Sequence, residues 1–385
     1  MSRRQICLYF LPLLVFQLAM TDGVWAVSRK AKLGKELFFD SNLSSPPGQA
    51  CSSCHDPEHF FTDPDTTVPT SAGVIEDRFG NRNAPTLMYA RSTPSFHFDK
   101  GVGLFVGGQF DDGRAATLKE QAKQPFLQAL EMNNASPDDV VEKVRLADYA
   151  DFFRRVYGKN SLNDPTRAYD RIADAIAAFE QTDRFAPMTS KYDYYLQGKV
   201  RLTAQELRGR KVYEDEDKGN CAACHPSRPE QNGAKRPLFT DFTYDNLGVP
   251  RNPENRFYVQ ASEFNQRGFK FVDNGLGDHV NDPAENGKFK VPTLRNIAMT
   301  APYMHNGYFL TLRGVIDFYN TRDVKPACPS EWIAEEDALR SGCWPAPEVV
   351  TNVNHDELGK LELSEQEAVD LEAFLLTLTD GYEPN

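Results

Sequence analysis

The chain has 385 residues, 40% of them hydrophobic, and a formal net charge of −12. That length exceeds a single small domain and suits two or three. The acidic balance excludes a basic nucleic-acid surface and leaves a basic docking partner or plain solubility.

The chain opens with Arg3-Arg4, an apolar run from Ile6 to Met20, and Val24-Trp25-Ala26. A charged start, an apolar middle and a small-residue cleavage site read as a signal peptide over residues 1–26, with Cys7 leaving inside it. The expected location is the periplasm. No later segment is apolar enough to span a bilayer, so no membrane insertion of the mature chain is expected. Leu33-Gly34-Lys35-Glu36-Leu37-Phe38-Phe39-Asp40 follows, then Cys51-Ser52-Ser53-Cys54-His55, Phe61-Thr62-Asp63 and Pro85-Thr86-Leu87. Ser136-Pro137 and Asp164-Pro165 each predict a helix start with proline at the first helical position. After the second, Ala168, Ile172, Ala175, Ile176 and Phe179 recur at helical spacing.

The order then returns. Thr203-Ala204-Gln205-Glu206 is a capping box, leading into Leu207–Asp215, Cys221-Ala222-Ala223-Cys224-His225, Phe239-Thr240-Asp241 and Pro292-Thr293-Leu294. Matches in sequence order read as a duplication, with domains at 27–185 and 186–385. Cys328 and Cys343 flank a stretch bearing Pro329 and Trp332, and in an oxidising compartment their simplest state is a disulfide closing that loop. Ser364-Glu365-Gln366-Glu367 caps a final helix with Ala368, Leu371, Phe374, Leu375 and Leu378 on one face.

The two Cys-x-x-Cys-His pentapeptides carry the chemistry. Two thiols that add to haem vinyls, followed by a histidine that ligates the iron, are the pattern of covalent c-type haem attachment. A zinc site would place the Cys pairs about 15–20 residues apart, and a thioredoxin-type dithiol needs no adjacent histidine. The expected fold is therefore mainly α, two cytochrome c-like haem domains with long loops. The far faces of the two irons stay open at this level. His59, His97, His279, His305, His355, the methionines and the tyrosines are all candidates.

The chain resembles the bacterial dihaem cytochrome c peroxidase family, in its MauG-like branch. The resemblance runs through Arg82-Asn83-Ala84-Pro85-Thr86, Gly108-Gln109-Phe110 with Asp112-Gly113-Arg114, and Gln124-Pro125 with Glu131-Met132. It continues through Lys290–Asn296, Thr300–Gly307 and Phe318-Tyr319-Asn320. It implies that His55 holds the peroxide-reactive haem, with Glu131 over the open face and Gln121 and Pro125 lining the distal pocket. A carboxylate there carries a proton between the peroxide oxygens, which is general acid–base catalysis. Arg114 is implied to hold a propionate or carboxylate, against the alternative of a surface salt bridge. The loop Ile75–Asn81 lacks the histidine that caps this iron in relatives needing reductive activation, so an open or water-bound iron is expected.

On the second haem the resemblance implies His225 and Tyr319 as ligands, with Met304 and His305 as rivals. It also implies a calcium ion held by Asn83 and the carbonyls of Thr300 and Pro302. Two positions depart from the family. Asp111 stands where a tryptophan lies between the haems, and Gly219 where MauG has a tryptophan near its second motif. The expected activity is reduction of hydrogen peroxide with electrons from a donor protein, MauG-like, the donor's own side chain being modified. The alternatives are peroxide detoxification fed by a small cytochrome or copper protein, and a non-enzymatic dihaem electron carrier.

Overall fold

The computed structural model describes residues 27–229 and 236–384. The signal-peptide reading of residues 1–26 lies outside them. The fold is helical with long loops, as expected. Strand among the described residues is limited to two antiparallel pairs, His97–Asp99 with Leu104–Val106 and Tyr244–Asp245 with Phe289–Lys290.

The predicted helices form where their caps stand. Ser136 Oγ accepts from Asp139 N–H (3.3 Å) and Asp164 Oδ1 from Arg167 N–H (3.2 Å), opening Pro137–Leu146 and Pro165–Glu180. Thr203 and Glu206 bond each other's backbone N–H, as do Ser364 and Glu367, at the heads of Ala204–Glu214 and Glu365–Leu376. Each side-chain oxygen satisfies a backbone donor that the first helical turn leaves free.

The internal repeat is a repeat of packing. Helix Arg29–Phe38 crosses Pro165–Glu180 at Gly34, where an added Cβ would lie 1.9 Å from Ala175 O. Helix Ala204–Glu214 crosses Glu365–Leu376 at Gly209, where a Cβ would lie 1.8 Å from Asp370 O. Only glycine lets the backbones approach so closely. Behind the first crossing, Phe38 meets Phe61 and Phe179 edge-on; behind the second, Tyr213 meets Phe239 and Phe374 in the same way. Two buried cores result. One runs from Leu33 to Ala186 with Leu238 added, the other from Tyr192 to Leu378.

Buried polar contacts tie the cores together. Arg82 donates to Asp112 and to both oxygens of Asp273, each at 2.7 Å. Asp380, near the chain end, accepts from Tyr89 Oη (2.6 Å), Asn296 Nδ2 (2.9 Å) and Thr189 N–H (2.8 Å). Cys328 and Cys343 form the expected disulfide.

Candidate active site

Each Cys-x-x-Cys-His motif is a single helical turn, Cys51–Cys54 and Cys221–Ala223, delivering its histidine at the end. The Phe-Thr-Asp and Pro-Thr-Leu repeats explain how that histidine is held. His55 Nδ1 lies 3.0 Å from Phe61 O, and His225 Nδ1 lies 2.8 Å from Phe239 O. Both phenylalanines have positive φ, 57° and 55°, which turns their carbonyls toward the rings. The same carbonyls accept Leu87 N–H and Leu294 N–H, at 3.2 Å each. Thr86 and Thr293 brace the loops through Phe60 O and Leu238 O, 2.6 Å each.

A carbonyl accepts only a donor, so each Nδ1 carries the proton and each Nε2 keeps a free lone pair. Burial lowers the pKa of both rings, that of His225 to about 4, so both are neutral at pH 7. Burial also pushes the thiols of Cys54, Cys221 and Cys224 up to about 12. Cys51 is raised as well, by burial and then by Glu180. Paired thiols kept neutral, each pair followed by a histidine with a free Nε2, suit addition to haem vinyls as neutral thioethers, so the residues fit c-type haem.

Both histidines wall one cavity of about 460 Å³, lined also by Glu131, Gln121, Pro125, Arg114, Asp111 and Tyr319. Glu131 is on the turn after the short helix Gln124–Leu127, not on a helix. That turn is fixed by Glu131 N–H to Gln128 O (3.0 Å) and by Val74 N–H to Glu131 O (2.9 Å). Its carboxyl is pushed up to about 7 by burial, against the opposing pull of the Arg114 cation. With Gln121, Pro125 and His55 it also borders a side hollow of about 60 Å³. Glu180 borders that hollow too, its Oε2 unbonded and its carboxyl pushed up to about 8 by burial. The sequence reading passed over Glu180, because a buried glutamate has no signature on an otherwise apolar helix face.

Arg114 is more exposed than its expected role suggests. It pairs with Asp112 at 2.9 Å and lies over the Phe110 ring at 3.6 Å. Tyr319 projects from helix Leu312–Thr321 into the cavity near the second motif. Burial and the nearby Cys221 and Cys224 raise its phenol well above the ordinary range. Of the rival ligands, Met304 and His305 line the cavity, and His305 stacks flat on Phe289 at 3.6 Å. His59 and His355 pair with Asp56 and Asp323, His97 bonds Ser95 O, and His279 meets Phe96. None of these four is in the cavity wall.

Asn83 donates through Nδ2 to Pro302 O, 219 residues along the chain, beside Thr300. Among the described residues there is no group of three or more His, Cys, Asp or Glu arranged to hold a metal. Asp111 is half-buried and its carboxyl raised, chiefly by desolvation, while Arg82 and Lys290 pull the other way. Lys290 donates to Gly108 O (2.6 Å) and Phe110 O (2.9 Å), and burial lowers it to about 8. At Gly219 a Cβ would stand 2.5 Å from Val212 O, so this backbone admits no side chain.

Known proteins are similar to this chain in sequence and fold. Residues 28–201 match the di-haem cytochrome c peroxidase family. The methylamine utilization protein MauG of Paracoccus denitrificans is 42% identical over 364 residues, 92% of this chain and 89% of the relative. The cytochrome c551 peroxidase of Nitrosomonas europaea is 33% identical, covering 74% of this chain and 71% of its own length. The crystal structure of the diheme peroxidase BthA from Burkholderia thailandensis superposes with a TM-score of 0.75 at 34% identity, over 91% of this chain and 86% of that one. A MauG-like protein associated with microbial copper homeostasis gives 0.67 at 31% identity, over 92% and 90%. With two equivalent histidine cradles, four half-buried free thiols and relatives along nearly its whole length, the chain belongs to the di-haem cytochrome c peroxidase family, haem-dependent peroxidases with two c-type haems.

Proposed function

We propose that this is a periplasmic, MauG-like peroxidase in which residues 27–185 carry the peroxidatic haem and residues 186–385 the second haem. Cys51, Cys54 and His55 hold the first, and Cys221, Cys224, His225 and Tyr319 the second. The haems supply iron that binds peroxide and takes up its two oxidising equivalents. Glu131 moves the proton. With peroxide bound, its carboxylate would take the proton of one peroxide oxygen and give it to the other, which would leave as water. A carboxyl poised near pH 7 is suited to both halves of that transfer. Gln121 and Pro125 bound the pocket, and Arg114 anchors its rim against Asp112 and Phe110.

Tyr319 closes the other site. A phenolate is a hard anionic donor that favours oxidised iron, suiting a centre that keeps an oxidising equivalent until a donor protein arrives. Binding metal would displace the phenolic proton. Calcium belongs at Asn83, Thr300 and Pro302, with the asparagine amide turned to present oxygen. Two electrons and two protons per peroxide complete its reduction to two waters. The donor is either a protein whose own side chain is modified or a small cytochrome or copper protein, and a small cytochrome agrees with the relatives named cytochrome c551 peroxidase.

The observation that carries the reading is one cavity with the Glu131 carboxyl at the His55 end and the half-buried Tyr319 phenol at the His225 end. EPR of the resting ferric protein tests it. One high-spin and one low-spin signal are expected, both vanishing with one equivalent of peroxide, and Tyr319→Phe should convert the low-spin signal to high-spin. Two low-spin signals that ignore peroxide would leave only an electron carrier.

A further inference from the structure

An aromatic group beside the disulfide loop has no role in the chemistry above. Trp332 lies inside that loop, its backbone N–H held by Ser330 Oγ at 3.1 Å. Tyr308 Oη donates to the next carbonyl, that of Ile333, at 3.0 Å. The Trp332 ring stands edge-on to Tyr258 at 4.9 Å and to Phe269 at 5.4 Å, and Phe269 is 60% exposed. Tyr258 is buried and its Oη donates to Glu348 Oε1 at 3.3 Å. The other Glu348 oxygen is 3.8 Å from His305 Nε2, which has no hydrogen-bond partner. His305, Phe289 and Glu348 all wall the haem cavity. An unbroken run of contacts thus joins the cavity to the surface.

We propose that Tyr258 and Trp332 form an electron relay between the cavity and the surface, with Glu348 as proton acceptor for Tyr258. This rests on the peroxidase reading, which supplies the oxidant. An oxidising equivalent generated from peroxide removes one electron from Tyr258, and the phenolic proton crosses to the Glu348 carboxylate. Trp332 returns an electron to the neutral tyrosyl radical, and the proton comes back to the tyrosine oxygen. The tryptophan radical cation is then reduced by a one-electron donor protein outside. Two passages supply the two electrons that one peroxide requires. The Arg251 guanidinium lies 5.8 Å from the Tyr258 ring centre and 5.5 Å from that of Trp332, opposing positive charge on either ring. The pair is therefore a conduit and not a store. It offers a route where Asp111 and Gly219 leave no indole.

Without a donor, the relay strands oxidation on Trp332. Loss of two electrons and two protons with capture of one water oxygen gives hydroxylated tryptophan. The test treats the dihaem holoprotein with a few equivalents of hydrogen peroxide, no donor, and reads peptide masses. Oxygen should appear on Trp332 and not on Trp344, which is buried among Phe309 and Phe318. In Tyr258→Phe the mark should fall to the Trp344 level while peroxide is still consumed. Glu348→Gln, which keeps the side-chain shape, should act likewise. Undiminished marking of Trp332 in both variants would overturn the relay and leave the peroxidase reading standing. A wild-type protein that consumes no peroxide would bring down both.

Discussion

Glu131 and Glu180 are chemically the same residue in two settings that decide different things. Glu131 faces the cavity with Arg114 near enough to favour its ionised form, and its carboxyl comes to rest at about 7. A proton acceptor works only when ionised, so kcat/KM for peroxide should rise with pH through about 7 and level off above it. Glu131→Gln should remove that limb and lower kcat by about 10²-fold or more, the usual worth of a positioned acid–base group. Stopped-flow mixing with peroxide across pH measures both. Glu180 Oε2 has no hydrogen-bond partner, and burial alone raises its carboxyl to about 8. A folded-state pKa raised above the unfolded one gives stability that is full below the unfolded value, about 4.5, and lost as pH rises through the folded value. Glu180→Gln should therefore melt higher than wild type at about pH 9, with the gap closed near about pH 4. A melting difference independent of pH would mean that Glu180 is ionised in the folded protein.

At the level of elements, the fold depends on two helix crossings built on glycine. Alanine is the better helix former by about 1 kcal/mol, so on propensity alone Gly34→Ala and Gly209→Ala would stabilise. The new Cβ atoms would meet backbone oxygens at 1.9 and 1.8 Å, and backbone gives way only if the helices separate. Overpacking costs about 1–3 kcal/mol and occasionally more. The clash wins, and both variants should be destabilised by about 2 kcal/mol or more in denaturant melts. Gly209→Ala should also perturb the second haem's spectrum, since Tyr213, four residues on, donates to His225 O at 2.6 Å. Equal stability of the two variants and wild type would show that the helices can slide apart freely.

For the molecule as a whole, the cavity exists because residues distant in sequence close around it. Arg82 joins Asp112 to Asp273, 191 residues away, and all three side chains are at most 14% exposed. Arg82 is the chief attraction holding both carboxyls below the usual range, although burial pushes the other way. Depressed carboxylate pKa values give stability that is present above the unfolded value and lost as pH falls through the folded one. Arg82→Ala takes the paired cation from the buried Asp273 carboxylate and leaves Asp112 with the more exposed Arg114, and should cost about 3–5 kcal/mol. The variant should melt markedly lower than wild type at neutral pH and approach it in acid, as the freed carboxyls take up protons. Calorimetry at both pH values checks this.

Read alone, the chain already disclosed its haem-binding chemistry, its repeat and most of its main helices, because each rests on neighbours in sequence. A thiol–thiol–imidazole spacing, a capping box and a proline at a helix start need no distant partner to be recognised. The disulfide followed from having two cysteines left over. Three things needed the tertiary structure. The Phe-Thr-Asp and Pro-Thr-Leu repeats were visible as words, but their work, fixing which histidine nitrogen carries the proton, depends on loops that meet only after folding. Glu131 and Glu180 look like ordinary surface glutamates until packing strips water from them and raises both. The path from Trp332 through Tyr258 and Glu348 to His305 joins residues up to 90 apart in the chain. Local patterns record covalent and helical chemistry; burial and long-range contact are properties of the closed fold, and they set the protonation of its buried groups and which distant residues meet.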